Sequence, residues 1–307
     1  DPPIDPPIDP PIDPPIDPSI DPLMAQPSDQ WPVAGEITVA DLLRHTAGFT
    51  YGQYGDANLD QLYRDALLLA RDSSLSEMAT KLARLPLVMQ PGTKFTYSIA
   101  TDVLGLIIER ASGESLDHFF HDRIFQPLRM HDTGFFVTED KIERFADSYI
   151  IDEQRQLTLH DEATQSRFRT PPTLHSGGGG LVSTAADYIK FCSMLTSGGE
   201  WNGYRLLTSA SVQQMTQNQL PESMLPIEFG GKRTGVGFGF GFSVVVGQVP
   251  LAATTPIGEF GWGGAASTHF WISPKHEMAV VALTQKMPFT FDLEHRVKSV
   301  VYRAVKG

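Results

Sequence analysis

Three short segments carry residue types that could take part in serine hydrolase chemistry. Tyr97 and Ser98 open an apolar helix directly after a Pro91-Gly92 turn, and Ser176–Gly180 is a glycine-rich loop. The third segment, Trp262-Gly263-Gly264, stands just before a strand. Each segment alone is weak, because tyrosines are commonly half-buried core residues and glycine runs are commonly only loops. In this order and context, the three segments are collectively specific, and the family resemblance described below assigns them roles.

Two glycine runs fail the pattern of a phosphate-binding loop. Such a loop closes with Gly-Lys-Ser/Thr after a strand, whereas Leu181-Val182 follow the first run. The second run, GGKRTG (Gly230–Gly235), has Pro226 where the first glycine of the motif would lie. The sequence therefore predicts no nucleotide site and no cofactor.

The sequence also lacks the zinc-binding motif of the metallopeptidases and the nucleophile-elbow motif of the α/β-hydrolases. A zinc-peptidase helix needs His-Glu-x-x-His, but His118 and His121 flank two phenylalanines and predict a solvated helix edge. The other histidines are scattered, so no metal is expected. The G-x-S-x-G elbow of the α/β-hydrolases is absent as well.

Capping residues and apolar periodicity predict the helices that position these segments. Thr38 with Asp41, and Ser74 with Glu77, have the spacing of capping boxes before apolar runs. After Tyr97 a helix is expected to end at Gly113. Its predicted buried residues are Val103, Leu104, Ile107, Ile108 and Ala111. The other predicted helices are Ser115–Phe125, Thr184 to the Gly198-Gly199 stop, a helix from Thr208, and Phe291–Val305.

After Gly235 the pattern changes to strands. VGFGFGFSVVV (Val236–Val246) alternates and is rich in glycine and β-branched residues. STHFWIS (Ser267–Ser273) and EMAVVALTQ (Glu277–Gln285) are two more strands, joined by a turn at Pro274-Lys275. Short links favour antiparallel neighbours. The prediction is an α+β fold, in which a helical middle is followed by an antiparallel sheet with a helix packed on it.

Composition limits the class of protein and its partners. The 307 residues carry a net charge of −12, and no dense Lys/Arg block suggests nucleic acid as a partner. No apolar run approaches the ~18–20 residues of a membrane span. The single cysteine, Cys192, lies in a predicted helix core and excludes an internal disulfide. No signal peptide is visible, so a cytoplasmic location is the default expectation. The sequence leaves the oligomeric state open.

The first 22 residues repeat the unit DPPI and contain six aspartates. Proline fixes φ and disfavours helix for the residue before it. We therefore expect residues 1–22 to be a disordered or polyproline-II-like arm, a low-complexity tail that precedes one domain over residues 23–307.

Four motifs resemble the serine β-lactamase and penicillin-binding-protein superfamily, in particular its class C and family VIII esterase branch. ITVADLLRHTAGF (Ile37–Phe49) resembles that branch's Ile-Thr-x-x-Asp-Leu-Leu-x-His-Thr-Ser-Gly signature. PGTKFTYSIATDVLGLIIERASG (Pro91–Gly113) is similar to its tyrosine motif, and SGGGGLVSTAADYIKF (Ser176–Phe191) to its glycine-rich segment. GWGGAASTHFWISP (Gly261–Pro274) resembles its third motif, with Trp-Gly-Gly for Lys-Thr-Gly. The resemblance covers most of the chain and implies the β-lactamase/transpeptidase-like fold, an antiparallel sheet with flanking helices plus a helical lobe.

The resemblance also implies an acyl-enzyme mechanism on a small-molecule ester or lactam. In such enzymes the serine of Ser-x-x-Lys attacks a carbonyl, while the lysine and the tyrosine manage its proton. Tyr97 matches that tyrosine and is the implied general base. The implied substrate-binding residues are Trp262, Gly263, Gly264, Ser176 and Gly177. Among them, the Gly263-Gly264 strand would help hold the oxyanion and would admit the substrate, because glycine has no side chain to block it.

Several departures from the family pattern affect the predicted activity. Ile99 replaces the asparagine of Tyr-x-Asn, which leans towards an esterase-like site, and no serine in the chain has lysine three residues on. DPLMAQPSDQWPVAGE (Asp21–Glu36) stands where the nucleophile helix is expected. We therefore predict an N-terminally truncated chain that lacks the first strands and the nucleophile helix. Such a chain is expected to be inactive and marginally stable.

Three hypotheses follow from the sequence. The chain is a defective β-lactamase-like hydrolase, or a catalytically dead binding module that uses the family cleft, or an interaction protein whose DPPI arm docks a proline-recognition domain. The aspartates of the repeat disfavour the third hypothesis, because such docking usually requires a basic anchor.

Overall fold

The structure, a computed structural model, describes residues 33–53, 57–152, 154–250 and 255–305. The predicted arm over residues 1–22, and its boundary with the following domain, lie outside these ranges. Within the described ranges, no helix combines the length and the apolar character that a membrane crossing requires.

Eight α-helices occupy the described residues, and most begin where the capping pattern places them. Thr38 and Ser74 each accept a hydrogen bond from the third residue of their helix, and both capping boxes are complete. Gly113 ends α4 in the left-handed conformation, as predicted. The helices are α1 (Val39–Leu43), α2 (Ala57–Asp65), α3 (Leu75–Leu82), α4 (Ala100–Ser112), α5 (Leu116–Phe120, continued by a π-helical turn over His121–Phe125), α6 (Ala185–Thr196), α7 (Ser209–Thr216) and α8 (Asp292–Val305).

A five-stranded sheet with strand order β11-β10-β9-β8-β7 is antiparallel throughout. It confirms the predicted antiparallel sheet and, with the helices, the predicted α+β fold. Its strands are β7 (Val236–Phe238), β8 (Ser243–Val245), β9 (Phe260–Gly264), β10 (Thr268–Ser273) and β11 (Met278–Ala282). The remaining strands are β1 (Ser148–Ile151), β2 (Leu157–Asp161), β3 (Glu200–Trp201), β4 (Tyr204–Arg205), β5 (Ile227–Glu228), β6 (Lys232–Arg233) and β12 (Lys286–Met287).

Side-chain alternation gives the five-stranded sheet two different faces. Phe260, Phe270 and Ile272 pack with Cys192 and Leu195 of α6 in one apolar core. The intervening residues of β10 point to the other face, which α8 covers. A second core joins α1, α3, α4 and α5 in a helical lobe. The loop that carries Tyr97 lies where this lobe meets the sheet.

The predicted burial of α4 is wrong at two positions. Ile107 is 37% exposed and Ala111 is exposed, whereas Val103, Leu104 and Ile108 are partly buried. The fully buried residues of this helix are Ala100, Asp102 and Gly105. The face of α4 that packs inward is therefore built from small and polar residues, because other backbone approaches it there.

The predicted single strand over 236–246 is also wrong. It is a hairpin, in which β7 and β8 pair through the register Val236↔Val245. The chain turns between them, and Gly241 adopts a φ of +93°, which is accessible mainly to glycine. Helix α2 and the β1–β2 pair were not predicted from the sequence.

Candidate active site

Tyr97 lies at the centre of a group of aromatic rings. The ring of His45 is 4.7 Å away between centroids, that of Phe229 is 5.0 Å away and that of Trp262 is 5.2 Å away. Tyr51 contributes a fourth ring at 5.4 Å. The structure therefore brings together Tyr97 of the second motif and Trp262 of the third, which are far apart in the sequence. The group joins the helical lobe to strand β9.

Ser98, the neighbour of Tyr97, is fixed inside the protein. Its side chain is buried with 1% exposure, its backbone N–H donates to His45 Nδ1 at 3.3 Å, and its Oγ lies 3.5 Å from the same nitrogen. Burial lowers the pKa of His45 to about 3, so this imidazole is neutral at physiological pH. The pair holds the start of α4 in place. A nucleophilic role for Ser98 is disfavoured, because a substrate cannot reach a buried hydroxyl.

Asp102, in the first turn of α4, holds the glycine-rich loop. Its Oδ1 accepts from Ser176 Oγ at 2.5 Å and from the Gly178 backbone N–H at 3.2 Å. Its Oδ2 accepts from the Tyr51 hydroxyl at 3.2 Å. Asp102 is fully buried and connects the Ser176 loop, the start of α4 and the ring beside Tyr97. The sequence did not single out Asp102 or Tyr51.

Burial shifts the pKa values of both Asp102 and Tyr51. Burial raises the pKa of Asp102, and the hydrogen bonds from Ser176, Gly178 and Tyr51 oppose that rise. Burial, followed by the negative charge of Asp102, raises the pKa of Tyr51 well above its ordinary value of 10.0. Tyr51 is therefore a hydrogen-bond donor here and does not act as a base.

Gly177 is required by a close approach between the loop and α4. A Cβ atom at this position would lie 2.3 Å from the backbone oxygen of Thr101. A Cβ at Gly178 would lie 2.3 Å from the Tyr51 hydroxyl. The predicted loop thus packs against the helix that Tyr97 precedes. The substrate contacts predicted for Ser176 and Gly177 remain predictions, and the Ser176 hydroxyl is engaged with Asp102.

Strand β9 presents Trp262 and two glycines. Strand β8 pairs with β9 only at Gly261 and Phe260, so in the described residues 262–264 have a strand partner on the β10 side alone. A Cβ at Gly263 would lie 2.7 Å from Phe289 Cε2, and one at Gly264 would lie 2.4 Å from Thr268 Oγ1. Packing therefore already explains both glycines. Their predicted substrate contact, through the open backbone edge of β9, remains a prediction.

The described residues show no group that would hold a metal ion, because in those ranges no three histidine, cysteine or carboxylate side chains converge. His118 and His121 are exposed on the predicted helix edge. Cys192 is fully buried, and burial raises its pKa to about 12, in agreement with the predicted structural thiol.

Comparison with known proteins identifies a family that this chain matches. The family described as Beta-lactamase matches residues 12–301. Protein Rv1367c of Mycobacterium tuberculosis is 36% identical over 262 residues, which cover 84% of this chain and 64% of that protein. Esterase EstB of Burkholderia gladioli is 29% identical over 266 residues, which cover 81% of this chain and 64% of the esterase. The chain thus spans less than two thirds of the length of these relatives.

Solved structures have the same fold. EstCE1, described as a hydrolase with promiscuous acyltransferase activity, superposes with a TM-score of 0.72 at 26% identity, covering 94% of this chain and 76% of that one. A mutant of simvastatin synthase from Aspergillus terreus superposes with the same TM-score of 0.72 at 24% identity, covering 90% of this chain and 69% of that one. The second likeness concerns the fold alone.

Proposed function

The chain belongs to the β-lactamase family of serine hydrolases, esterases and acyltransferases, and on that basis we propose that it carries the tyrosine half of an acyl-transfer site for small-molecule esters. In such a reaction a serine oxygen attacks the ester carbonyl, the alcohol leaves with a proton, and water then releases the acid from the acyl-enzyme. Tyr97 is the group in this chain that moves the proton of the attacking hydroxyl. The backbone edge at Trp262–Gly264 receives the carbonyl oxygen.

The contact between Tyr97 and Trp262 carries this proposal. Their rings lie 5.2 Å apart, beside a stretch of β9 that β8 leaves unpaired. A proton-transfer residue and unpaired backbone donors close together are two requirements of acyl transfer. Ile99 stands where a β-lactam site has asparagine and is buried. An ester is therefore a better substrate than a lactam.

We further propose that these 307 residues do not form an acyl-enzyme by themselves. No serine among them is followed by lysine three positions later. A free tyrosine has a pKa of ~10, so a phenolate base requires a nearby cation. The lysine of Ser-x-x-Lys would supply that cation together with the nucleophile.

Fluorophosphonate labelling with intact-mass readout tests the proposal. The chain alone is expected to remain unlabelled. After addition of a family-type fragment that contains Ser-x-x-Lys, the fragment is expected to become labelled, and Tyr97→Phe should slow that labelling about 10²-fold or more. Tyr204→Phe, at an exposed position of β4, serves as the matched control for loss of a phenol hydroxyl. Stoichiometric label on the chain alone would show that another serine is the nucleophile.

A catalytically dead binding module is the second candidate function. The aromatic group around Tyr97 favours it, because stacked rings bind apolar ligands without any nucleophile. This function requires a cooperatively folded chain that binds an ester analogue and never turns it over. Urea unfolding and equilibrium binding of a non-hydrolysable phosphonate ester together check it, and a broad, non-cooperative unfolding transition would exclude it.

A further inference from the structure

A cavity of about 60 Å³ lies on the face of the five-stranded sheet that α8 covers. We call it the rear cavity. Ser243 and Trp271 contribute to it from the sheet, and Phe229, Phe289 and Phe291 contribute aromatic walls. Phe260 and Phe270 also line the cavity, and both belong to the core that packs on α6. Trp262 and Gly263 of the candidate active site line the rear cavity as well, so the cavity adjoins that site.

Arg233 of β6 points its guanidinium at this cavity. The guanidinium carbon lies 3.7 Å from the centre of the Phe291 ring, and the side chain lines the cavity. Within the described ranges its guanidinium has no hydrogen bond or ion pair. Burial lowers the pKa of Arg233, and the negative charge of Glu294 partly opposes that effect. A half-buried guanidinium stacked on one ring face keeps its in-plane N–H donors available.

The two carboxylates in the rear cavity are engaged with other groups. Lys298 Nζ lies 2.7 Å from Glu259 and also bonds Glu294. His269 Nδ1 lies 3.1 Å from Glu294, and the Tyr302 hydroxyl donates to Glu259. These partners hold both carboxylates, so neither one pairs with Arg233.

The charge balance of the rear cavity favours an anion over a cation. Glu259 and Glu294 on one side, and Lys298 and Arg233 on the other, balance formally, so the wall has no net negative charge to repel an anion. A cationic ligand would have to displace Lys298, His269 or Tyr302 from the carboxylates. An anionic ligand needs only the donors of Arg233.

We infer that the rear cavity binds a short-chain carboxylate, with the Arg233 guanidinium donating two parallel hydrogen bonds to its oxygens. Planar carboxylate and guanidinium groups match in this paired geometry. Phe289 and Phe291 surround the aliphatic part of the ligand. A cavity of roughly 150 Å³ holds benzene, so 60 Å³ suits acetate or propionate. The rear cavity shares Trp262 and Gly263 with the candidate site, but carboxylate binding by Arg233 requires no acyl transfer.

Titration of the full chain with sodium acetate or propionate, at constant ionic strength set with sodium chloride, tests this inference. Tryptophan fluorescence reports binding, because Trp262 and Trp271 both line the cavity. A saturable change is expected for the wild type. Arg233→Gln should raise the Kd at least tenfold. Arg233→Lys should raise the Kd less, because lysine keeps the positive charge, but it should still raise it, because lysine cannot donate the two parallel hydrogen bonds.

Lys232→Gln is the matched control. Lys232 precedes Arg233 in the same strand, β6, and its side chain is exposed. Lys232→Gln therefore removes the same single positive charge as Arg233→Gln, but from outside the cavity. The Kd of Lys232→Gln for the carboxylate should match that of the wild type. Equal weakening by both glutamine variants, or equal binding of acetate and chloride, would overturn the inference and indicate an adventitious ion only. If Arg233→Gln does not fold, as judged by thermal unfolding, Arg233→Lys and the acetate-chloride comparison decide the question.

Discussion

Replacement of Asp102 should separate the glycine-rich loop from α4. The carboxylate accepts three hydrogen bonds, from Ser176, Gly178 and Tyr51, and is fully buried. Hydrogen bonds to charged groups contribute about 1.5–3 kcal/mol each, and the desolvation of the carboxylate offsets part of the sum. We therefore expect Asp102→Ala to lower the free energy of unfolding by about 3–5 kcal/mol, out of a total of about 5–15 kcal/mol for a typical domain.

Asp102→Asn distinguishes the effect of hydrogen bonding from that of charge. The amide oxygen can still accept from Ser176 and Gly178, so this variant should lose much less stability than Asp102→Ala. Because the pKa of Asp102 is raised in the folded state, wild-type stability falls as the pH rises from the ordinary value of 3.8 through the folded-state pKa. Asparagine does not ionise. The stability of Asp102→Asn relative to wild type should therefore improve as the pH rises.

Urea unfolding followed by tryptophan fluorescence measures these differences. Asp65→Ala, at an exposed position of α2, is the control and should change the free energy of unfolding by no more than about 0.5 kcal/mol. A double-mutant cycle between Asp102→Ala and Ser176→Ala should give a coupling of about 0.5–3 kcal/mol. A loss below about 1 kcal/mol for Asp102→Ala would refute the assigned role of these hydrogen bonds.

Three further perturbations test other parts of the fold. Gly177→Ala places a Cβ 2.3 Å from a backbone oxygen of α4 and should cost about 2 kcal/mol or more in thermal unfolding, whereas Gly179→Ala has no neighbour closer than 3.9 Å and should be neutral. Lys298→Met should lower stability at pH 7 by about 3–5 kcal/mol in urea. The part of that loss due to Glu294 should shrink as the pH falls from its ordinary pKa, 4.5, towards its folded value of about 2. Burial raises the pKa of Glu259, so the part due to its pair with Lys298 should shrink, as the pH falls, in a higher pH range, and a pH-independent loss would contradict both ion pairs. Cys192, with its pKa raised to about 12, should not react with a disulfide reagent in the native chain and should react in urea; rapid native labelling would contradict its burial.

Local rules account for the elements that the sequence predicted correctly. A capping box such as Thr38 with Asp41 is complete within three residues, and strands β10 and β11 are defined by their own alternation and a short turn. These features need no distant partner. The same locality explains the errors, because apolar residues of α4 such as Ile107 were assigned to the core without knowledge of what packs there.

The sequence alone determined the family motifs, the α+β fold and the position of Tyr97 at the mouth of a helix, because each is encoded by neighbouring residues. Only the tertiary structure decided that Asp102 holds Ser176, 74 positions away, and that Arg233 stacks on the ring of Phe291 in the wall of the rear cavity. Those contacts depend on how separate elements pack. Burial then sets the protonation of His45, Tyr51 and Asp102, since removing a charge from water is a property of the assembled fold.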